Sequence, residues 1–211
     1  MFTPLIVAGV DVGGRIKGFH AVALRDGNYM GKMSSPRASE VADWCRRIGA
    51  RFIGVDAPCR WSSTGRARAA ERELMAEKIW CFSTPSRETA EAQPKDYFRW
   101  MLNGADLFSA LESTHALFAG NSGHTAPRLC FETFPHAIAT ALAGRPCSAR
   151  QKRTERRRLL ESIGVDTGEL TNIDTIDAAL CALTAHYFAD NGCKKYGDAN
   201  TGYIIVPRSA R

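Results

Sequence analysis

The sequence predicts an α/β domain built on a mixed β-sheet. Three observations carry that expectation. An apolar, β-branched run near the N-terminus leads through a glycine pair into a second apolar run and an Asp-Gly dipeptide, which is the pattern of a strand feeding a hairpin. Two further short apolar runs, each ending in a carboxylate, alternate with segments of helical period. The 211 residues are 45% apolar and 24% charged, which excludes a disordered chain and fits one globular domain.

Pro4 to Val12 reads as a buried central strand, with Gly13-Gly14 as its turn. Phe19 to Leu24 is a second strand. Asp26-Gly27 signals a hairpin into a third, Tyr29 to Met33. Ser39 is placed to cap a helix reaching Ile48, with Val41, Trp44, Cys45 and Ile48 on one face. Arg51 to Pro58 holds a short strand that ends at Asp56 and is stopped by proline. Residues 64–118 carry no strand pattern and read as a helical insertion. One helix is expected over Arg66–Trp80 and a second over Asp96–Phe118, kinked near Gly104, with a loop between them. Gly120 to Pro127 reads as a loop, and Arg128 to Phe134 as a strand carrying Glu132. Pro135 suits the first turn of a helix ending near Gly144. The next helix ends at Gly164, and the last runs from Asn172 to Asp190. Tyr203 to Val206 is expected as a terminal edge strand.

Composition narrows the function classes. The longest uncharged runs fall short of the roughly 18 residues of a membrane span. Met1-Phe-Thr-Pro lacks the basic start of a secretory signal. Seven scattered cysteines with no C-x-x-C spacing argue against a zinc or thioredoxin-type site and for reduced thiols, so a cytoplasmic location is expected. Net charge is +6, and Arg145 to Arg158 alone supplies it, with seven basic residues against Glu155. The remaining 197 residues balance, 21 basic against 21 acidic. Such a local basic segment suits an anionic partner. Arg150, Lys152, Arg153, Arg156 and Arg157 are the candidate contacts to a nucleic-acid backbone, weighed against a solvated basic helix start.

Carboxylates mark the candidate chemistry. Asp11 and Asp56 end apolar strands, Glu132 sits in a third, and Asp174 and Asp177 sit in the last helix. Asp177 falls inside that helix's apolar stripe of Ile173, Ile176, Leu180, Leu183 and Tyr187, and Asp174 shares its face. Each has a plain alternative. Asp174 suits a helix start, Asp11 suits a cap on the glycine turn, and Asp56 suits a surface strand end. Together they are costly. Two carboxylates about 4 Å apart repel by ~4 kcal/mol at an effective dielectric of ~20, and three in one cleft by ~12 kcal/mol. No arginine stands beside the strand aspartates in the sequence, so a divalent cation is the natural remedy, and oxygen-only ligands suit Mg²⁺ or Mn²⁺.

Gly9-Val-Asp11-Val-Gly13-Gly14, Gly54-Val-Asp56-Ala-Pro58, Phe131-Glu132-Thr-Phe-Pro135 and Ile173-Asp174-Thr-Ile-Asp177-Ala-Ala, in that order, resemble a family of uncharacterised, mainly bacterial proteins that are predicted nucleases of the ribonuclease-H-like fold. The Asp174-x-x-Asp177-Ala ending is similar to that of Holliday-junction resolvases of the same superfamily. The resemblance implies a two-metal phosphodiester hydrolase. Asp11, Asp56 and one or both of Asp174 and Asp177 would hold the metals, and Glu132 matches the family's Glu-x-x-Pro pattern. Two other functions compete. One is a phosphate-handling enzyme of the actin-like ATPase group, because Gly9 to Gly14 resembles half of its phosphate loop. The other is a non-catalytic nucleic-acid-binding module using the basic segment. Arg66, Arg68 and Arg72 read as a solvated, salt-bridged helix face, and Trp80, Phe98 and Trp100 as core rather than base-stacking residues.

Overall fold

The computed structural model describes residues 3–120, 128–148 and 150–209. The expected loop over 120–127, with His124, lies outside the described residues apart from Gly120. Strand β1 (Ile6–Val12) pairs antiparallel with β2 (Phe19–Arg25), which pairs antiparallel with β3 (Asn28–Ser35). Helix α1 (Ala38–Arg47) returns the chain to β4 (Phe52–Asp56), parallel to β1. Then follow α2 (Ala69–Ala76), α3 (Arg87–Ala92), α4 (Arg99–Leu111), the two-residue β5 (Ala116–Leu117) and β6 (Leu129–Glu132). Helices α5 (Pro135–Ala143), α6 (Lys152–Ser162) and α7 (Ile173–Ala189) precede a closing hairpin, β7 (Cys193–Asp198) and β8 (Gly202–Pro207).

The sheet runs β3-β2-β1-β4-β6-β8-β7, with β5 beside the first half of β6. Strands β1, β4, β6 and β8 are parallel; β2, β3 and β7 run against their neighbours. Helices cover both faces. This is the mixed sheet flanked by helices that the ribonuclease-H-like resemblance implied.

Several expectations are corrected. Helix α1 starts one residue before Ser39, and the residue at its N-cap is Arg37, which makes no side-chain cap. The stretch 64–118 does contain a strand, β5, and the supposed loop after Pro85 holds α3, capped by Ser86. Its first helix is half the expected length. Its second ends at Leu111 and passes straight through Gly104, whose missing Cβ lets it lie against Ala57. Strand β8 is not an edge, because β7 lies outside it. Lys194 and Lys195 hid that strand by breaking its apolar pattern.

The side-chain alternation of β1 and β4 divides the core. Val7, Phe52, Leu129 and Phe131 meet α7 on one face. Ala8, Val10, Ile53 and Val55 meet α1 and α4 on the other, through Val41, Cys45, Leu107 and Leu111. Gly9 and Gly54 are register partners on the α7 face. A Cβ on Gly9 would stand 2.0 Å from the Ala182 nitrogen and 2.1 Å from the Ala178 oxygen; one on Gly54 would stand 2.6 Å from the Cys181 oxygen. The helix backbone therefore rests on the bare sheet. Gly9→Ala is expected to lower stability by at least about 3 kcal/mol, the upper end of ordinary overpacking costs, because backbone atoms on both sides must move. Urea denaturation checks this, and a loss below about 1 kcal/mol would show that α7 can stand off the sheet.

Candidate active site

The alternation that places Gly9 and Gly54 under α7 places Asp11 and Asp56 two residues on, on the same face. They are register partners on adjacent parallel strands, with backbones about 4.8 Å apart. Asp11 is buried and Asp56 half-buried. Asp177, on the buried face of α7, and Asp174, one turn earlier and half-buried, overlook them. Burial first, then the charges of Asp177 and Asp174, push the Asp11 carboxyl up to about 8. Burial and the charges of Asp11 and Asp177 push Asp56 well above the usual carboxylate range. Among the described residues, neither carboxylate gains a hydrogen bond that would offset this.

The helix carboxylates do have cations. Arg156 Nη1 donates to both Asp177 oxygens at 2.5 Å in a buried pair, yet burial still leaves the Asp177 carboxyl raised. Lys17 Nζ donates to Asp174 Oδ1 at 2.8 Å, and His20 Nε2 stands 3.9 Å from Asp174 Oδ2. The charge of Lys152, at the start of α6, also acts on Asp11 and Asp177. Among the described residues, no three His, Cys, Asp or Glu side chains are arranged as they stand to hold a metal ion. Arg156 already occupies the Asp177 carboxylate.

Glu132 is set apart. It is the register partner of Val55, not of Asp56, so it points to the α4 face, away from α7. There Arg68 Nη2 and Nη1 donate to its two oxygens at 2.6 and 2.8 Å, and the Cys59 amide adds 2.8 Å. Arg68 is buried and also donates through Nε to Glu71 at 2.8 Å, while Glu71 accepts from the Thr84 amide and hydroxyl. The expectation of a solvated Arg68 is overturned; the buried arginines lie on Glu132 and Asp177, not on the strand aspartates.

The basic segment divides as well. Arg156 is buried on Asp177 rather than standing in solvent at a basic helix start. Arg157 is half-buried and donates to the carbonyls of Thr167 and Leu170, and Arg153 donates to that of Thr171. Arg156 and Arg157 therefore turn inward, while Arg153 stays exposed. Arg150, Lys152 and Arg158 are exposed as well. Sequence reasoning missed Lys17, His20 and Arg156 at the carboxylates. His20 was within reach, since a turn over residues 13–18 pairs Val12 with Phe19 and hence Asp11 with His20. Arg156 lies one turn before buried Leu160, on the packed side of α6.

The chain matches the family described as "Protein of unknown function (DUF429)" over residues 9–201. It belongs to that family. The matched span takes in every carboxylate of the site, from Asp11 to Asp177. No curated protein matches the chain. Among solved structures it is similar to RuvC of Thermus thermophilus, at 17% identity over 89% of this chain and 97% of that one, with a TM-score of 0.45. No described helix is long and apolar enough to cross a membrane.

The raised carboxyl of Asp11 makes stability depend on pH. A folded-state value above the ordinary 3.8 means the folded chain binds more protons than the unfolded one between those values. Its contribution is therefore fully present below about pH 4 and lost as pH rises through about 8. In EDTA, the melting temperature should show this fall between pH 5 and 8, and Asp11→Asn should flatten it. An Asp11→Asn profile parallel to the parent would show that Asp11 is ionised throughout.

Proposed function

We propose that the chain is a divalent-metal-dependent nuclease that hydrolyses nucleic-acid phosphodiester bonds at Asp11, Asp56, Asp177 and Asp174. One observation carries this reading. Asp11 and Asp56 are held side by side at the ends of parallel strands, and neither is paired with a cation. Acids drawn out of solvent, whose nearest cations are bonded to other carboxylates, are expensive to keep ionised, and such groups concentrate at functional sites. An oxygen-only donor set suits Mg²⁺ or Mn²⁺.

Asp11 and Asp56 would be the primary ligands. Asp177 joins them by releasing part of its fork with Arg156, and Asp174 by releasing Lys17. A bound metal supplies charge stabilisation for the phosphoryl oxygens and lowers the pKa of bound water. The chain's own cations do the rest. Arg156, with a buried Nε that has no partner, is poised to turn from Asp177 to a phosphate oxygen. Lys17 and Lys152 offset negative charge at the rim. Glu132 is left out of the ligand set, because Arg68 neutralises it on the far face.

Two experiments test this. With Mn²⁺ or Mg²⁺ the protein should cleave DNA or RNA strands. Asp11→Asn and Asp56→Asn should each abolish cleavage while leaving the metal-free fold as stable or slightly more stable, since each relieves repulsion. Cleavage that survives either change, or that proceeds unchanged in EDTA, would overturn the reading. The exposed start of α6 should supply backbone contacts without reading sequence. Replacing Arg150 and Lys152 by Gln should make the slope of log affinity against log salt shallower by about 1.8 on duplex DNA or about 1.4 on single strands. An unchanged slope would assign that charge to another role.

A further inference from the structure

A small cavity of about 50 Å³, half open to solvent, lies beside Asp56 on the α4 side of the sheet. Its walls are apolar and aromatic: Phe82, Trp100, Phe134, Ala57, Pro58 and Ile204. Phe82 and Trp100 stand edge to face, with ring centroids 6.3 Å apart. Trp100 packs against the core beneath, whereas Phe82 is 64% exposed. The chain leaves few large apolar side chains in water, and Trp80, Phe82 and Tyr97 are three of them, all on the segments that lead into and out of this cavity. Tyr97 follows Lys95 and Asp96, two consecutive non-glycine residues held at φ 64° and 56°. Such strain is kept where a side chain must be presented in one place.

The floor of the cavity is the network of Arg68, Glu71 and Glu132. Its carboxylate oxygens are all taken. Glu71 accepts from Arg68 and Thr84, and Glu132 from Arg68 and the Cys59 amide. A ligand therefore finds apolar walls to stack on and a floor with its acceptors already satisfied. That combination holds a flat, weakly polar ring without reading its edge.

We infer that the exposed Phe82 ring at the mouth of this cavity stacks on an unpaired nucleobase of the strand whose phosphate lies at Asp11 and Asp56, so that the substrate carries unpaired nucleotides at the cleavage position. The inference rests on the nuclease reading. The occupant follows from continuity, since Asp56 lines both the carboxylate site and this cavity. A paired base cannot stack there, because its faces are covered by its neighbours in the duplex. Stacking on aromatic side chains tolerates any base, so the preference is for unpaired over paired rather than for one sequence.

The test is fluorescence anisotropy in EDTA, where no cleavage occurs. The probes are a mixed-sequence 20-nucleotide strand as DNA and as RNA, the matching blunt duplex, and a DNA strand of equal length with abasic sites throughout. The parent should bind the normal strands more tightly than the duplex and the abasic strand. Phe82→Ala should weaken binding of the normal strands by roughly five- to 150-fold, leave the abasic strand unchanged, and be rescued by Phe82→Tyr. Equal loss on normal and abasic strands, or no loss, would overturn the stacking role. Phe82 lies outside the core, so the fold of Phe82→Ala should be intact by circular dichroism. If instead the parent cleaves in Mn²⁺ but treats paired and unpaired strands alike, the nuclease reading stands and this inference falls. If the parent neither binds nor cleaves any probe, both fall.

Discussion

The contact on which the rest depends is the direct seating of α7 on the sheet at Gly9 and Gly54. Neither strand has a side chain there, and the helix answers with Ala178, Cys181 and Ala182. A helix held by backbone contact cannot slide outward to relieve a charge conflict at its end. Asp11 and Asp56 lie two residues beyond the glycines, and Asp177 lies immediately before Ala178. The same packing that fixes the core therefore fixes the carboxylates against one another. Burial in that packing first, and the neighbouring carboxylates second, raise the Asp11 and Asp56 carboxyls.

The two strand aspartates were legible because a buried strand reads as an apolar run, and a carboxylate at its end is conspicuous. Their placement side by side was also legible, since Gly-Val-Asp occurs twice and both copies use the same alternation. Glu132 was not. The sequence shows that it ends an apolar run, but not the register of that run. With Val55 opposite Glu132, the residue that would stand opposite Asp56 is Thr133, and a one-residue offset turns the side chain to the other face. Register between strands joined by a long helical segment is set by packing, which no local pattern records.

The arginines failed for a related reason. Arg68 and Arg156 sit in runs dense with charge, and such runs ordinarily face water. Each is instead drawn inward by an acid distant in sequence, Glu132 for Arg68 and Asp177 for Arg156. Local spacing pairs Arg68 with Glu71, and that pair does form, but it does not reveal the third partner that buries it. The hairpin of β7 and β8 was half legible: β8 is apolar, while β7 carries two adjacent exposed lysines before Tyr196 and depends on its partner strand.

The two acidic groups on opposite faces of the sheet show what separates structure from chemistry here. On the α4 face, Glu71 and Glu132 share one buried guanidinium, and three backbone amides and a hydroxyl complete their hydrogen bonds. Burial is then tolerable, and the network ties β6 to α2 and to the chain around Thr84. On the α7 face, four carboxylates meet Lys17, Lys152 and Arg156, and these cations favour the helix acids. Asp11 and Asp56 are left raised and unpaired in the middle. A structural role for them would have been served by an arginine, as it is one strand away at Glu132. Leaving the pair open costs stability, and acids kept at that cost concentrate where a site has chemistry to do.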